Sequence, residues 1–276
     1  MSHNHAHNHA HNTSDHVSYE EMLKTNYELT EEKTKQLVDS IGIKPDWHIL
    51  DAGAGIGIMS QLFLDKIKDG PGTLTLMEPS PSFETHLEQL VLANKKKVIF
   101  KKTQIEMRDY PCKKSDSGYD LVFIRLVLHH CRADYAIGCL LSVLKPGGMF
   151  VVQEFVHGTA AFWAQKTVCT ALHQLELQSI GEIRTHALCG DHANYIPPAM
   201  YKNLISQSCE VLHFDKFIPE GHPADTLGKN VFTMMTKHCR NEETKNKAQK
   251  EYEDICVEKH SVVYSRVHIN IIAKKN

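Results

Sequence analysis

The sequence has 276 residues, of which 42% are hydrophobic and 23% are charged, and its formal net charge is −2. A chain of this size and composition can bury a hydrophobic core without disulfides or a structural metal. The small net charge argues against nucleic acid as a partner, and no apolar run reaches the ~20 residues that a membrane-spanning helix requires.

The first elements along the chain are a polar tail and an amphipathic region. Residues 1–17 place histidine at every second position from His3 to His11, which is typical of an expression tag or a disordered tail. Capture of a divalent metal is the alternative, but no cysteine or carboxylate completes a closed ligand shell, so we predict no metal site. Residues 18–41 predict one or two helices ahead of the core.

A regular alternation of strands and helices follows. Short apolar runs predict buried strands, and 3.6-residue periodicity predicts the helices between them. This order predicts a parallel sheet that is covered by helices on both faces. The predicted strands are Trp47–Ala52, Thr73–Met77, Val98–Lys102, Tyr119–Arg125 and Met149–Phe155; the predicted helices are 58–68, Ser82–Asn94 and Ala133–Leu144, with a turn at 145–148.

The regular alternation of predicted strands and helices ends after Glu154. Residues 159–207 and 224–258 have helical patterns, whereas Val211–Phe217 and His268–Lys274 alternate as strands do. We therefore predict one domain over 18–276, with a core at 45–156 and a helical cap with C-terminal strands at 157–276. A cap beside the carboxyl ends of a parallel sheet is well placed to cover a ligand pocket.

The most informative motif joins the first strand to the next helix. Gly53 and Gly55 follow Asp51 in a G-x-G-x-G loop, and Glu78 ends the next strand. Glycines there can adopt positive φ or admit a ligand against the backbone, and an acid at that strand end can accept hydrogen bonds from both ribose hydroxyls of a nucleoside cofactor. A dinucleotide enzyme would share both features, but the loop lacks the G-x-G-x-x-G spacing that holds a pyrophosphate.

Two further segments, YDLVFIR at 119–125 and LKPGGMFVVQE at 144–154, follow at suitable distances. Together the four elements resemble class I S-adenosylmethionine-dependent methyltransferases over residues 47–155. The resemblance implies a Rossmann-like α/β fold with a mostly parallel seven-stranded sheet, and S-adenosyl-L-methionine as cofactor. The glycine loop would face its amino-acid part, Glu78 its ribose, and residues 104–107 its adenine. The cofactor-binding residues that we predict are Asp51, Gly53, Gly55, Glu78, Pro79, Gln104, Glu106 and Arg125.

The periphery is similar in layout to histamine N-methyltransferases. That resemblance implies that Glu31 faces a substrate amine and that His129 and His130 line the substrate cavity, so these three residues are our catalytic candidates. Either histidine could accept a proton at physiological pH. The chain departs from that family at Leu126 and at 265–266, where polar substrate contacts are expected.

Three functional hypotheses follow. The first is N-methylation of a small amine or imidazole compound, and the second is O- or C-methylation of a phenolic or other natural product. The third is a catalytically silent module that binds the cofactor. The eight cysteines form no C-x-x-C pair, so we expect reduced thiols and a cytoplasmic protein. A small-molecule substrate and a monomer are favoured.

Overall fold

The computed structural model describes residues 19–103, 105, 118–155, 198–217, 243, 246 and 268–276. The predicted tail at 1–17 and the predicted helices within 159–197 lie outside the described residues. So does the predicted helical stretch at 224–258, apart from residues 243 and 246.

A seven-stranded sheet organises the described part of the chain. Its strand order is β3-β2-β1-β4-β5-β7-β6, and only β7 runs antiparallel to its neighbours. This arrangement confirms the predicted Rossmann-like class I methyltransferase fold with a mostly parallel sheet. The strands are β1 (His48–Ala52), β2 (Thr73–Met77), β3 (Val98–Lys101), β4 (Tyr119–Arg125), β5 (Leu144–Phe155), β6 (Cys209–Phe217) and β7 (His268–Lys275).

Helices cover both faces of this sheet. Six α-helices and two 3-10 turns, at Pro81–Phe83 and Leu128–His130, connect or flank the described strands. The helices are α1 (Tyr19–Glu28), α2 (Glu31–Ile41), α3 (Ile58–Ile67), α4 (Glu84–Ala93), α5 (Ala133–Val143) and α6 (Pro198–Ser206). No helix in the described ranges is long and apolar enough to cross a bilayer.

Two hydrophobic cores lie on the two faces of the sheet because alternate strand residues point in opposite directions. On β4, Leu121 and Phe123 belong to the core beneath α2, α3 and α4. The intervening Val122 and Ile124 belong to the core beneath α5 and α6. Strands that are buried on both faces read as continuous apolar runs, which is why the sequence predicts them well.

The start of β5 differs from the prediction. We expected a separate turn at 145–148, but the strand already begins at Leu144 and contains this segment. Its pairing with β4 is irregular between Tyr119 and Leu121, and Gly147 has a φ of 75°. The prediction of a separate turn is therefore wrong, because the glycine-rich segment distorts the strand pairing without ending the strand.

Candidate active site

The candidate site lies at the point in the sheet where the order of successive strands changes direction. From β1 the chain builds outward through β2 to β3, and it then returns to add β4 on the other side of β1. Ligands of open α/β sheets bind outside the carboxyl ends of strands at such a switch point. A cavity of about 400 Å³ lies there, and its wall includes residues from the ends of β1, β2 and β4.

Glu78 lies on the cavity wall at the end of β2 and is 7% exposed. Its carboxylate accepts hydrogen bonds from the backbone N–H of Gly55 at 3.0 Å and from that of Ser80 at 2.8 Å. Burial raises the pKa of Glu78, and these two backbone hydrogen bonds oppose the rise. A carboxylate has about four acceptor positions, so two remain for a ligand's hydroxyl groups.

Both backbone conformation and close packing explain why the loop has glycine at positions 53 and 55. Gly53 and Gly55 have φ values of 81° and 55°, a region that other residues rarely adopt. A Cβ on Gly53 would lie 2.3 Å from Cγ2 of Val127, so the loop after β4 packs directly on this glycine. A Cβ on Gly55 would lie 3.5 Å from Leu23, which places α1 over the loop.

Asp51 lies at the end of β1, is 1% exposed and forms part of the cavity wall. The Ser60 hydroxyl on α3 donates a hydrogen bond of 2.6 Å to its carboxylate. Burial raises the pKa of Asp51 to about 7, and the Glu78 charge adds to the rise, whereas the Ser60 hydrogen bond and the Arg125 charge oppose it. The cavity therefore contains two carboxyl groups in different environments.

Arg125, the last residue of β4, connects the cavity wall to the N-terminal helices. It donates to Gln153 Oε1 at 2.7 Å, and to the Thr30 hydroxyl and the Asn26 carbonyl at 2.8 and 3.1 Å. Burial lowers the pKa of its guanidinium to about 10, so Arg125 is still charged at neutral pH. Its polar partners compensate for the loss of water around the charge.

Leu126 follows Arg125 on the cavity wall and has a φ of 54°. This left-handed conformation is unusual for a leucine, and such strain is often found where a backbone is shaped for a ligand. Its backbone N–H donates to the Gln153 carbonyl at 2.9 Å, which holds the strained turn against β5.

The two histidines after β4 have different environments. His130 is exposed and lines the cavity, whereas His129 is buried. Nδ1 of His129 lies 2.8 Å from Oε1 of Glu154, and the two imidazole rings lie 3.9 Å apart. A carboxylate acceptor fixes the tautomer in which Nδ1 carries the proton.

Seven of the predicted site residues meet in this cavity: Asp51, Gly53, Gly55, Glu78, Pro79, Arg125 and His130. His129 lies next to it, behind His130. Glu31 lies outside the described cavity wall, and its 45% exposed side chain pairs with Lys35 at 2.7 Å. Gln104 and Glu106 lie outside the described residues, although their neighbours Thr103 and Ile105 line the cavity.

Several cavity or supporting residues were missed by sequence reasoning. Val127 packs on the glycine loop, and Gln153 joins Arg125 to the Thr34 hydroxyl of α2 at 3.0 Å and to Asn270 of β7 at 2.9 Å. The polar Gln153-Glu154 pair at the end of an apolar strand was the available signal, because a buried strand rarely ends in two polar residues without partners for them.

These residues fit a nucleoside cofactor with an amino-acid tail. The cavity volume lies within the ~300–1,000 Å³ that ligand pockets commonly have. Glu78 is a buried carboxylate acceptor on the cavity wall, and apolar side chains such as Ile105 and Met77 also line it.

Comparison with known proteins supports this interpretation. Residues 50–150 match the family described as "Methyltransferase domain". The chain is 31% identical over 111 residues to the polyketide synthase-nonribosomal peptide synthetase ACE1 of Pyricularia oryzae, and 29% identical over 142 residues to the highly reducing polyketide synthase bet1 of Neocamarosporium betae. The matched segments are 40% and 47% of this chain but only 3% and 5% of those proteins.

Solved methyltransferase structures share the fold. Mycolic acid cyclopropane synthase CmaA1, complexed with S-adenosylhomocysteine, has a TM-score of 0.57 at 13% identity, with 96% of this chain and 90% of that chain covered. Geranyl diphosphate C-methyltransferase from Streptomyces coelicolor A3(2) has a TM-score of 0.54 at 11% identity, with 93% and 84% covered. The predicted class I methyltransferase fold is thus confirmed, and the segment 50–150 matches a methyltransferase domain.

Proposed function

We propose that this protein transfers the methyl group of S-adenosylmethionine to a small molecule, at an oxygen or carbon atom that loses a proton. One observation carries the proposal: the Glu78 carboxylate and the His130 imidazole line the same cavity. A group for holding a nucleoside and a group for accepting a proton therefore belong to one site. A monomer in the cytoplasm, as expected from the sequence, is part of this proposal.

The residues at the ends of β1 and β2 would hold the cofactor, which supplies an electrophilic methyl group when it is bound. Glu78 would accept hydrogen bonds from the ribose hydroxyls, and the backbone at Gly53 and Gly55 would contact the amino-acid part. Gln104 and Glu106 would flank the adenine. Alignment of two reactants in such a site can contribute ~7–11 kcal/mol to lowering the barrier, so a strong base is not required.

The imidazole pair would accept the substrate's proton. The Glu154 hydrogen bond orients His129 and stabilises the positive charge that forms on proton uptake, as the third member of a catalytic triad does. His130 is in contact with the cavity and with the His129 ring. General-base catalysis of this kind commonly contributes a factor of about 10²–10⁴ to the rate.

N-methylation of a small amine or imidazole compound, the first hypothesis from the sequence, has weaker support. Its proposed anchor Glu31 pairs with Lys35 on the surface of α2. The names of the relatives favour O- or C-methylation, because one is a polyketide synthase-nonribosomal peptide synthetase, one is a highly reducing polyketide synthase and one structural neighbour is a C-methyltransferase. Carbon acids flanked by carbonyl groups therefore belong with phenols among the candidate substrates.

Binding calorimetry and a methyl-donor assay test the proposal. We expect S-adenosylhomocysteine to bind and phenols or carbon acids to be methylated, with histamine and other biogenic amines unreactive. Turnover of amines alone would refute the O- or C-methylation proposal. Cofactor binding without turnover of any class would favour a silent module, and no binding at millimolar concentration would contradict the enzyme proposal as a whole.

Replacement of each histidine tests the role of the imidazole pair. His129→Asn and His130→Asn should each keep S-adenosylhomocysteine affinity within about threefold, while at least one lowers kcat by about 100-fold. If both variants keep kcat within about fivefold of the wild-type value, the pair does not accept the proton.

A further inference from the structure

The two carboxyl groups of the cavity differ in how well their charge is compensated. Glu78 accepts hydrogen bonds from two backbone N–H groups, of Gly55 and Ser80. Asp51 is more deeply buried, and its hydrogen bond within the described chain comes from the Ser60 hydroxyl. A neutral hydroxyl compensates a buried negative charge less well than two backbone dipoles do, so the protonated form of Asp51 is favoured more than that of Glu78.

The nearby cation does not neutralise Asp51. Arg125 reaches the same cavity from β4, but it donates its hydrogen bonds to Gln153, Thr30 and Asn26. No ion pair in the described ranges includes Asp51. Among the described residues, the other titratable groups on the cavity wall besides Arg125 are Glu78, His130 and Cys131. Burial is thus the main influence on Asp51, and it raises the pKa of this residue to about 7.

We propose that Asp51 holds a proton in the ligand-free protein and releases it to solvent when the positively charged groups of the cofactor bind. The inference rests on the proposed function. In this step the O–H bond of the carboxylic acid breaks, the electron pair stays on the carboxylate, and the proton passes to a buffer base. Cofactor affinity should therefore increase with pH until Asp51 is ionised in the free protein as well.

The test is calorimetric titration of the full chain with S-adenosylmethionine, without a methyl acceptor, in buffers of different ionisation enthalpy. A group with a pKa near 7 that is ionised in the complex should release about 0.8 protons at about pH 6.5, and Kd should decrease about tenfold between about pH 6 and pH 8. Asp51→Asn, an isosteric neutral replacement, should lose most of the proton release and bind with a nearly constant Kd over that range.

Two control variants identify the source of the proton. Glu78→Gln should bind more weakly, and His130→Asn about as well as the wild type, but both should keep the proton release. If either control abolishes the release while Asp51→Asn keeps it, the residue replaced in that control is the source of the proton and the inference is wrong. Should Asp51→Asn not fold, the wild type together with these two controls still decides whether Glu78 or His130 is the source.

Unfolding of the ligand-free protein gives a second, independent measurement. The pKa of Asp51 in the folded state is above its ordinary value of 3.8, so Asp51 makes a contribution to stability that is lost as pH rises from about 4 to about 7. Asp51→Asn lacks this contribution, so the Tm of the variant relative to that of the wild type should increase over that range. A constant Tm difference would contradict the inference.

The outcomes separate this inference from the function on which it rests. Absence of S-adenosylmethionine binding at every pH would contradict the proposed function. Binding with a pH-independent Kd and no proton release would contradict only the role of Asp51.

Discussion

Two consecutive residues at the end of β5 support two different regions of the site. The Gln153 side chain accepts from Arg125 and from Thr34 of α2, on the face covered by the N-terminal helices. The Glu154 side chain binds His129 on the opposite face, because neighbouring strand residues point in opposite directions. The end of β5 thus contacts Arg125 and α2 on one face and the His129 imidazole on the other. We call the N-terminal helices α1 and α2 the helical cover.

The Gln153 region and the Glu154 region contact different parts of the molecule. The Gln153 region joins α1 and α2 to the sheet, and Leu23 of α1 lies over the glycine loop. Glu154 instead contacts His129, in the turn that follows β4. We therefore expect mutations to affect the stability of the helical cover and proton transfer separately, although Gln153 and Glu154 are adjacent in sequence.

The largest effect should come from Glu154→Gln. The variant keeps an oxygen acceptor for His129 Nδ1 but removes the negative charge that stabilises an imidazolium, so we expect kcat to fall about 100- to 1,000-fold. S-adenosylhomocysteine affinity should stay within about threefold of the wild-type value.

Two further variants exclude a merely structural role for Glu154. Glu154→Asp, which keeps the charge, should recover part of the rate, and Glu210→Gln on the exposed surface of β6 should have no effect. Parallel losses of kcat and of cofactor affinity in Glu154→Gln would mean that the two faces of β5 are not independent.

Glu78→Ala should have the next largest effect. Glu78 lies at the end of β2, outside both the Gln153 region and the Glu154 region. Loss of hydrogen bonds from two ribose hydroxyls to a charged acceptor should weaken S-adenosylhomocysteine binding by about 100-fold. Glu84→Ala removes an exposed carboxylate that pairs with Lys102, and it is the matched control. Calorimetric Kd values that are equal for the two variants would show that Glu78 does not hold the cofactor.

Arg125→Met tests the Gln153 region. It removes three hydrogen bonds that join β4 to the N-terminal helices and to β5, and it should lower the free energy of unfolding by about 1–3 kcal/mol. The control Arg132→Met removes a pair that is 73% exposed on the arginine side, and it should change that free energy by less than about 0.5 kcal/mol. Denaturant titration measures both; equal values would mean that Arg125 does not fix the helical cover.

The smallest effect should come from Glu31→Gln. Glu31 forms an exposed i,i+4 pair with Lys35, so its loss should cost less than about 0.5 kcal/mol of stability. The variant should also leave KM for every substrate within about twofold. A large increase in KM for an amine substrate would restore the amine-anchor hypothesis.

The sequence predicts the local part of this architecture and misses the long-range part. Thr73–Met77 and Tyr119–Arg125 are found as predicted, and Gly53 and Gly55 reach the site, because strand burial and a tight turn depend on nearby residues. The start of β5 was not predicted, since it depends on pairing with β4.

Side-chain partners were equally inaccessible to sequence reasoning. Arg125 binds Thr30, which is 95 positions away, and His129 binds Glu154, which is 25 positions away. No local pattern distinguishes the buried His129 from the exposed His130, so the sequence could nominate the pair but not assign its members.

A crystal structure of the chain with S-adenosylhomocysteine would test the central claim most directly. We predict that the ribose hydroxyls lie about 2.6–3.2 Å from the Glu78 carboxylate oxygens, with the amino-acid tail beside the Gly53–Gly55 backbone. A ligand bound elsewhere, with no contact to the Glu78 carboxylate, would contradict this assignment of the cofactor site.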